Sequence, residues 1–171
     1  MPRLKAICAR HGVPLLYRPT DFFAVFKVSG GVPLEARAPQ RRKYRLLELR
    51  RWGEYLGLPI NPEPRYFPCD MTPASLLVLA AQAQGAYEGD LSFALERAVW
   101  AEERDIADPG TLIDIANAQG FDGAALYAAS REPAIAARYA ANTRRAIELD
   151  MFGSPTYEYR GEIFWGQDRL D

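Results

Sequence analysis

The sequence predicts an α/β fold in which a large all-helical block is inserted into a small α/β unit. Two observations carry this. The element order reads helix, strand, long helical block, β-hairpin, with neither regular βα alternation nor an internal repeat. The chain also closes on "FGSPTYEYRGEIFWGQDRLD", where two aromatic and β-branched runs flank Arg160-Gly161 and a proline stands just ahead of the first. Residues 1–40 with 151–171 are expected to form the small α/β unit, and 41–150 the inserted helical subdomain.

Taken in order, Leu4, Ile7 and Cys8 recur at helical spacing over residues 3–11, and Gly12 supplies the stop. "VPLLYRP" at 13–19 reads as a short buried strand, and "DFFAVFKVSGGVP" at 21–33 as a loop or irregular helix. Tyr44, Leu47, Trp52 and Leu56 mark one side of a helix that Gly57 and Pro59 end. "INPEPRYFPCD" is proline-rich and is expected as an ordered surface loop. Beyond it, Thr72 is expected as an N-cap with Pro73 at the first helical position, and Asp90 opens a second helix. Asp108-Pro109 opens a third by the same device, and further helices run to about residue 150. In the hairpin, Pro155 has no N–H to give a central ladder and so suits the bend before a strand, including a cis bend.

Composition narrows the function classes. Of 171 residues, 49% are hydrophobic and 25% charged, as in an ordinary globular protein. Lys and Arg number 21 against 22 Asp and Glu, so no basic field asks for nucleic acid. The longest apolar run, "LLVLAA", is far short of the roughly 20 residues that span a bilayer, so no membrane partner is expected. "MPRLKAICARHG" has no apolar core of signal-peptide type, and a cytoplasmic location is the expectation. Cys8 and Cys69 lie far apart, and with a single His no metal site is expected. Each cysteine reads as a small core residue, and His11 as a cation at a helix end.

Five places could carry chemistry. Arg41-Arg42, Arg45 and Arg50-Arg51, interleaved with Tyr44 and Trp52, form the densest basic cluster; they read as a solvated helix face or as an anion site at the helix's first turn. Glu102, Glu103, Asp105 and Asp108 read mostly as a solvated helix end, with a metal role as the minor alternative. "SGG" at 29–31 is too little of a phosphate loop to signal a nucleotide. Ser154 in "GSP" has no histidine base beyond His11, which argues against a Ser–His hydrolase. Gln167 and Asp168 in "WGQDRL" open what looks like a capped helix. They could equally hold an α-amino-acid group, whose ammonium needs a carboxylate.

Three long segments together resemble one family. "VPLLYRPTDFFAVFKVSGGVPLEARAPQRRKYRLLELRRWGEYLGLPIN", "AVWAEERDIADPGTLIDIANAQG" and "FGSPTYEYRGEIFWGQDRL" follow, in order, the thioredoxin-like 2-hydroxychromene-2-carboxylate isomerases. These are relatives of kappa-class glutathione transferases and DsbA-like proteins. The resemblance implies an α/β, thioredoxin-like (DsbA-like) fold with a large helical insertion, and Pro155 as its cis-proline. It implies glutathione as cofactor: Ser154 pairs its backbone with the cysteinyl part as an added strand, Gln167 and Asp168 hold the γ-glutamyl end, and Arg41 meets a carboxylate. Phe22, Phe23, Tyr44 and Trp165 are the candidates for an aromatic substrate pocket. Gly31 stands where kappa-class relatives have Asn, so that contact is expected to be absent.

The family begins with a strand and a Ser-Pro-Tyr loop whose serine meets the glutathione thiolate; here Met1 falls inside the helix that follows, and the last helix is cut short at Asp171. The expectation is therefore a chain shortened at both ends, with no catalytic serine of its own and a gap between the strands at 14–19 and 156–159. The implied reaction is glutathione-dependent isomerisation of an aromatic carboxylate, by thiolate addition to a conjugated carbon, bond rotation and thiolate expulsion. Glutathione transfer is the rival within the fold, and a non-catalytic truncated module the rival outside enzymes. A homodimer is the implied assembly.

Overall fold

Helix-stop glycines and aspartate caps divide the chain into eight helices and one hairpin, seen in a computed structural model that describes residues 2–86 and 89–170. In order these are α1 (Pro2–His11), α2 (Phe22–Ser29), α3 (Pro39–Leu56), α4 (Thr72–Ala83), α5 (Gly89–Trp100), α6 (Pro109–Ala118), α7 (Gly123–Ser130), α8 (Pro133–Glu148), β1 (Thr156–Tyr159) and β2 (Glu162–Trp165). The fold is mostly helical with one two-stranded sheet. The chain divides into two units: Met1–Gly31 with Tyr139–Asp171, and Val32–Arg138.

In the first unit, α1 stops where expected, at Gly12 with φ +62°, and the Val13 amide returns to the Cys8 carbonyl at 2.9 Å. The strand expected at 13–19 does not form. Leu15 and Tyr17 turn partly inward while Leu16 and Arg18 turn out, as in an extended segment, but it pairs with no strand among the described residues. Pro14 and Pro19 remove two ladder donors from this short stretch. The segment expected as a loop or irregular helix at 21–33 is instead a regular helix, α2. Asp21 decides it: its side chain accepts from the Ala24 amide at 3.1 Å, and Gly30 closes the helix in the left-handed region. The Asp21 amide donates to the Thr143 hydroxyl at 3.1 Å, and Asn142 donates to the Pro19 carbonyl at 3.1 Å, so the later turns of α8 fix where α2 begins.

The hairpin pairs Thr156 with Trp165 and Tyr159 with Glu162. Its two turn residues, Arg160 and Gly161, have φ of +52° and +84°, the left-handed pair that matches the twist of antiparallel strands. Arg145 on α8 meets Glu158 on β1 at 3.0 Å.

The second unit is built around α4, which is buried on nearly every side: Ala74 and Leu77 to Ala81 are all in the core. Leu91, Leu95, Leu112, Ile115 and Leu126 close over it from α5, α6 and α7. Thr72 is the first helical residue and not the N-cap expected of it. Asp70, two residues earlier, takes the Thr72 amide at 2.9 Å in a local turn that displaces the threonine from that role. Asp108 does cap α6, accepting from the Thr111 amide at 2.7 Å. The proline-rich loop at 60–70 is ordered by α5 and the residues after it: the Asn61 amide donates to the Trp100 carbonyl at 2.7 Å, and the Glu103 carboxylate takes the Arg65 amide at 2.7 Å and the Asn61 side-chain amide. Among the described residues, no helix is long and apolar enough to cross a membrane.

Candidate functional site

The hairpin ladder continues past its own strands. The Ser154–Pro155 bond is cis, and the Gly166 amide donates to the Pro155 carbonyl at 3.0 Å. Ser154 and Gln167 follow that rung at the open end of the hairpin. Ser154 and Pro155 are exposed, and among the described residues no hydrogen bond uses the Ser154 backbone. An exposed, unpaired peptide beside a strand is what an extended peptide ligand needs for added-strand pairing.

Behind it, Gly153 is buried under the Trp165 indole, where a Cβ would run into the ring. Phe152 packs on the same indole at 5.0 Å between centroids, and the Thr156 hydroxyl donates to the Gly153 carbonyl at 2.6 Å. The capped helix expected after Trp165 is only a short 3₁₀ turn, Gln167–Arg169. Gly166 precedes it at φ +102°, with the Asp168 carboxylate folded back against it, and Asp168 caps no amide. Asp168 lies 3.9 Å from Arg169, both well exposed, an ion pair too wet to hold it firmly.

Ser154, Pro155, Gln167 and Asp168 thus share one end of the hairpin, with Trp165 next to them. Phe22 and Phe23 belong to the same unit on α2. Phe22 packs edge-on to Phe26 at 6.1 Å, and Phe23 points outward. The Phe26 ring occupies the space where a side chain at Gly31 would begin. Arg41 and Tyr44 lie in the other unit, in the first two turns of α3, both exposed. Tyr44 stands beside Glu48, whose carboxyl is held below its usual range, first by the hydrogen bond from Arg51 and further by Tyr44.

The acidic run is solvent-exposed at Glu102, Glu103 and Asp108, as expected of a solvated helix end, and it also ties local structure together. Glu102 pairs with Arg97 at 2.7 Å, Glu103 clasps the 60–70 loop, Asp105 takes the Ala107 amide at 2.9 Å and Asp108 caps α6. Among the described residues, no group of three His, Cys, Asp or Glu gathers as a metal site would need. One arrangement had no signal in local sequence: Arg45 lies over the rings of Phe67 and Trp100, residues far along the chain.

A family profile for the DSBA-like thioredoxin domain matches residues 1–171. The chain belongs to the DSBA-like thioredoxin family. Within it, this chain is 28% identical over 170 residues to the 2-hydroxychromene-2-carboxylate isomerase of Sphingobium xenophagum, covering 99% of this chain and 85% of that protein. It is also 28% identical to the isomerase of the same name from Pseudomonas putida, over 98% of this chain and 81% of the other. A solved 2-hydroxychromene-2-carboxylate isomerase superposes with a TM-score of 0.80 at 23% identity, over 98% of this chain and 81% of that one. At that identity the superposition speaks for the DSBA-like fold alone.

Proposed function

We propose that this chain is an isomerase of the 2-hydroxychromene-2-carboxylate type, acting on an aromatic carboxylate with glutathione as cofactor. Support for the isomerase reading comes from relatives of that name matched over nearly the whole chain. The observation that carries the glutathione reading is the exposed Ser154 peptide, without a backbone partner among the described residues, next to the Pro155–Gly166 rung. Glutathione, when bound, supplies a thiol nucleophile. The chain's own residues orient it. The Ser154 backbone offers one amide and one carbonyl to an extended cysteinyl unit. Gln167 and the Asp168 carboxylate, on the adjoining turn, hold an ammonium-bearing end by charge-assisted hydrogen bonding. Trp165 keeps the Ser154 turn in place by filling the space over Gly153.

The test is turnover of 2-hydroxychromene-2-carboxylate, followed by absorbance, with and without glutathione, alongside calorimetry of glutathione binding. Glutathione-dependent turnover is expected, with Asp168→Asn weakening glutathione by about tenfold through loss of a charged partner. Turnover without glutathione would remove the cofactor from the proposal. No turnover in either condition would remove the isomerase.

A further inference from the structure

The first residue pair of the hairpin, Thr156 with Trp165, reaches back to the residue before Ser154. Paired side chains in an antiparallel ladder project from the same face. Here the Trp165 indole lies over the buried Gly153, and the Thr156 hydroxyl donates to the Gly153 carbonyl at 2.6 Å. No backbone amide among the described residues meets that carbonyl. A hydroxyl bonded to the third residue back closes a small ring of chain around Ser154 and Pro155. At its other end the dipeptide is fixed by the Gly166 amide, which donates to the Pro155 carbonyl at 3.0 Å.

The two tethers act on a peptide whose own neighbours give it unequal support. Pro155 has a fixed φ, whereas Gly153 is the residue type with the widest choice of backbone angles. Without a hold on Gly153, that freedom would pass to the orientation of the Ser154 amide and carbonyl. Those groups are exposed and carry no partner of their own among the described residues. So short a binding edge gains from being fixed before its ligand arrives, because ordering it on binding would subtract from affinity. Of the two groups on Gly153, the indole is half-exposed and can swing away, while the hydroxyl is part-buried and bonded.

We propose that Thr156 is a positioning residue: its hydroxyl, acting through the Gly153 carbonyl, sets the Ser154 peptide in its ligand-pairing orientation before glutathione binds. The binding half of this inference rests on the glutathione reading. The positioning half is read in the free protein, so the two fail separately. Backbone amide relaxation, measured by NMR on the full chain without ligand, should give Ser154 an order parameter of about 0.85, the value of rigid backbone, although it is exposed. Thr156→Val, which keeps the branched shape and removes the donor, should lower it to below about 0.6. Calorimetry on the same proteins should find glutathione bound about tenfold more weakly by Thr156→Val. Thr156→Ser, which restores the hydroxyl, should bind within about twofold of the parent. A mobile Ser154 in the parent, or one equally rigid in Thr156→Val, overturns the positioning. A Thr156→Val protein that is looser at Ser154, or only less stable to urea, yet binds glutathione as the parent does overturns the link to binding. If the parent binds no glutathione, the cofactor reading falls and that link with it, while the order parameter still decides what holds the turn. If Thr156→Val loses the far-ultraviolet dichroism of a folded helix bundle, the Ser154 order parameter of the parent carries the decision alone.

Discussion

Gly153 is buried because the Trp165 indole lies where its side chain would be. The ring is half-exposed and can swing away, so a methyl group there would cost the Phe152–Trp165 packing rather than the backbone. Gly153→Ala should therefore destabilise by about 1 kcal/mol, the scale of one aromatic pair with mild overpacking. Urea unfolding followed by tryptophan fluorescence would measure this, and an unchanged midpoint would show that the indole does not depend on the glycine. Glu103 illustrates a residue whose role was out of sight in the sequence. Beside Glu102 it reads as one of two solvated acids, yet its φ of +54° turns its carboxylate onto Asn61 and the Arg65 amide. Nothing in the run "WAEERD" announces a partner forty residues back.

Among elements, the pair α6 and α7 approaches most closely at Gly123. A Cβ there would meet the Ile113 carbonyl, which belongs to the backbone and cannot rotate aside, and the Gly123 amide donates to the Asn117 side chain at 2.8 Å. Gly123→Ala must push the helices apart, at a cost of about 2 kcal/mol. A thermal melt should show this substitution as clearly more damaging than Gly153→Ala; parity would argue that the helix pair relaxes freely. Element boundaries were most legible where a capping aspartate or a stop glycine marked them, as Asp108 does for α6 and Gly12 for α1. α2 was misread because "FFAVFKVS" has no polar face, and only Asp21 ahead of it betrays the start. The 13–19 stretch was misread for the opposite reason. Its alternation is real in the burial pattern, but a strand exists only when another strand accepts its hydrogen bonds.

For the molecule as a whole, the aromatic hairpin and the run of capped helices were legible because each is written locally, while the DSBA-like fold was carried by the resemblance of three long segments. Ser154, Pro155, Gln167 and Asp168 stand close in the sequence on either side of one hairpin, so their grouping was legible. The Arg45 cluster joins three distant segments and could not be read ahead of tertiary structure. Global stability should also respond to alkali. Cys69 has its thiol pKa raised by burial first, then by Asp105 and Asp70. The folded chain thus keeps that proton after the unfolded chain, with a thiol near about 8.5, has lost it. Its contribution is complete below that value and fades as pH rises through the higher folded one. The urea midpoint should fall as pH rises above about 8.5, and by less in Cys69→Ala. The hairpin has a further consequence. Its four residue pairs and the Pro155–Gly166 rung form one short zipper pinned at Arg160-Gly161. The rung farthest from that pin frays at the lowest free energy, so amide exchange at Gly166 reports the opening of the very end that Ser154 and Gln167 occupy. A ligand bridging those two residues would slow that exchange first, making Gly166 a built-in gauge of occupancy.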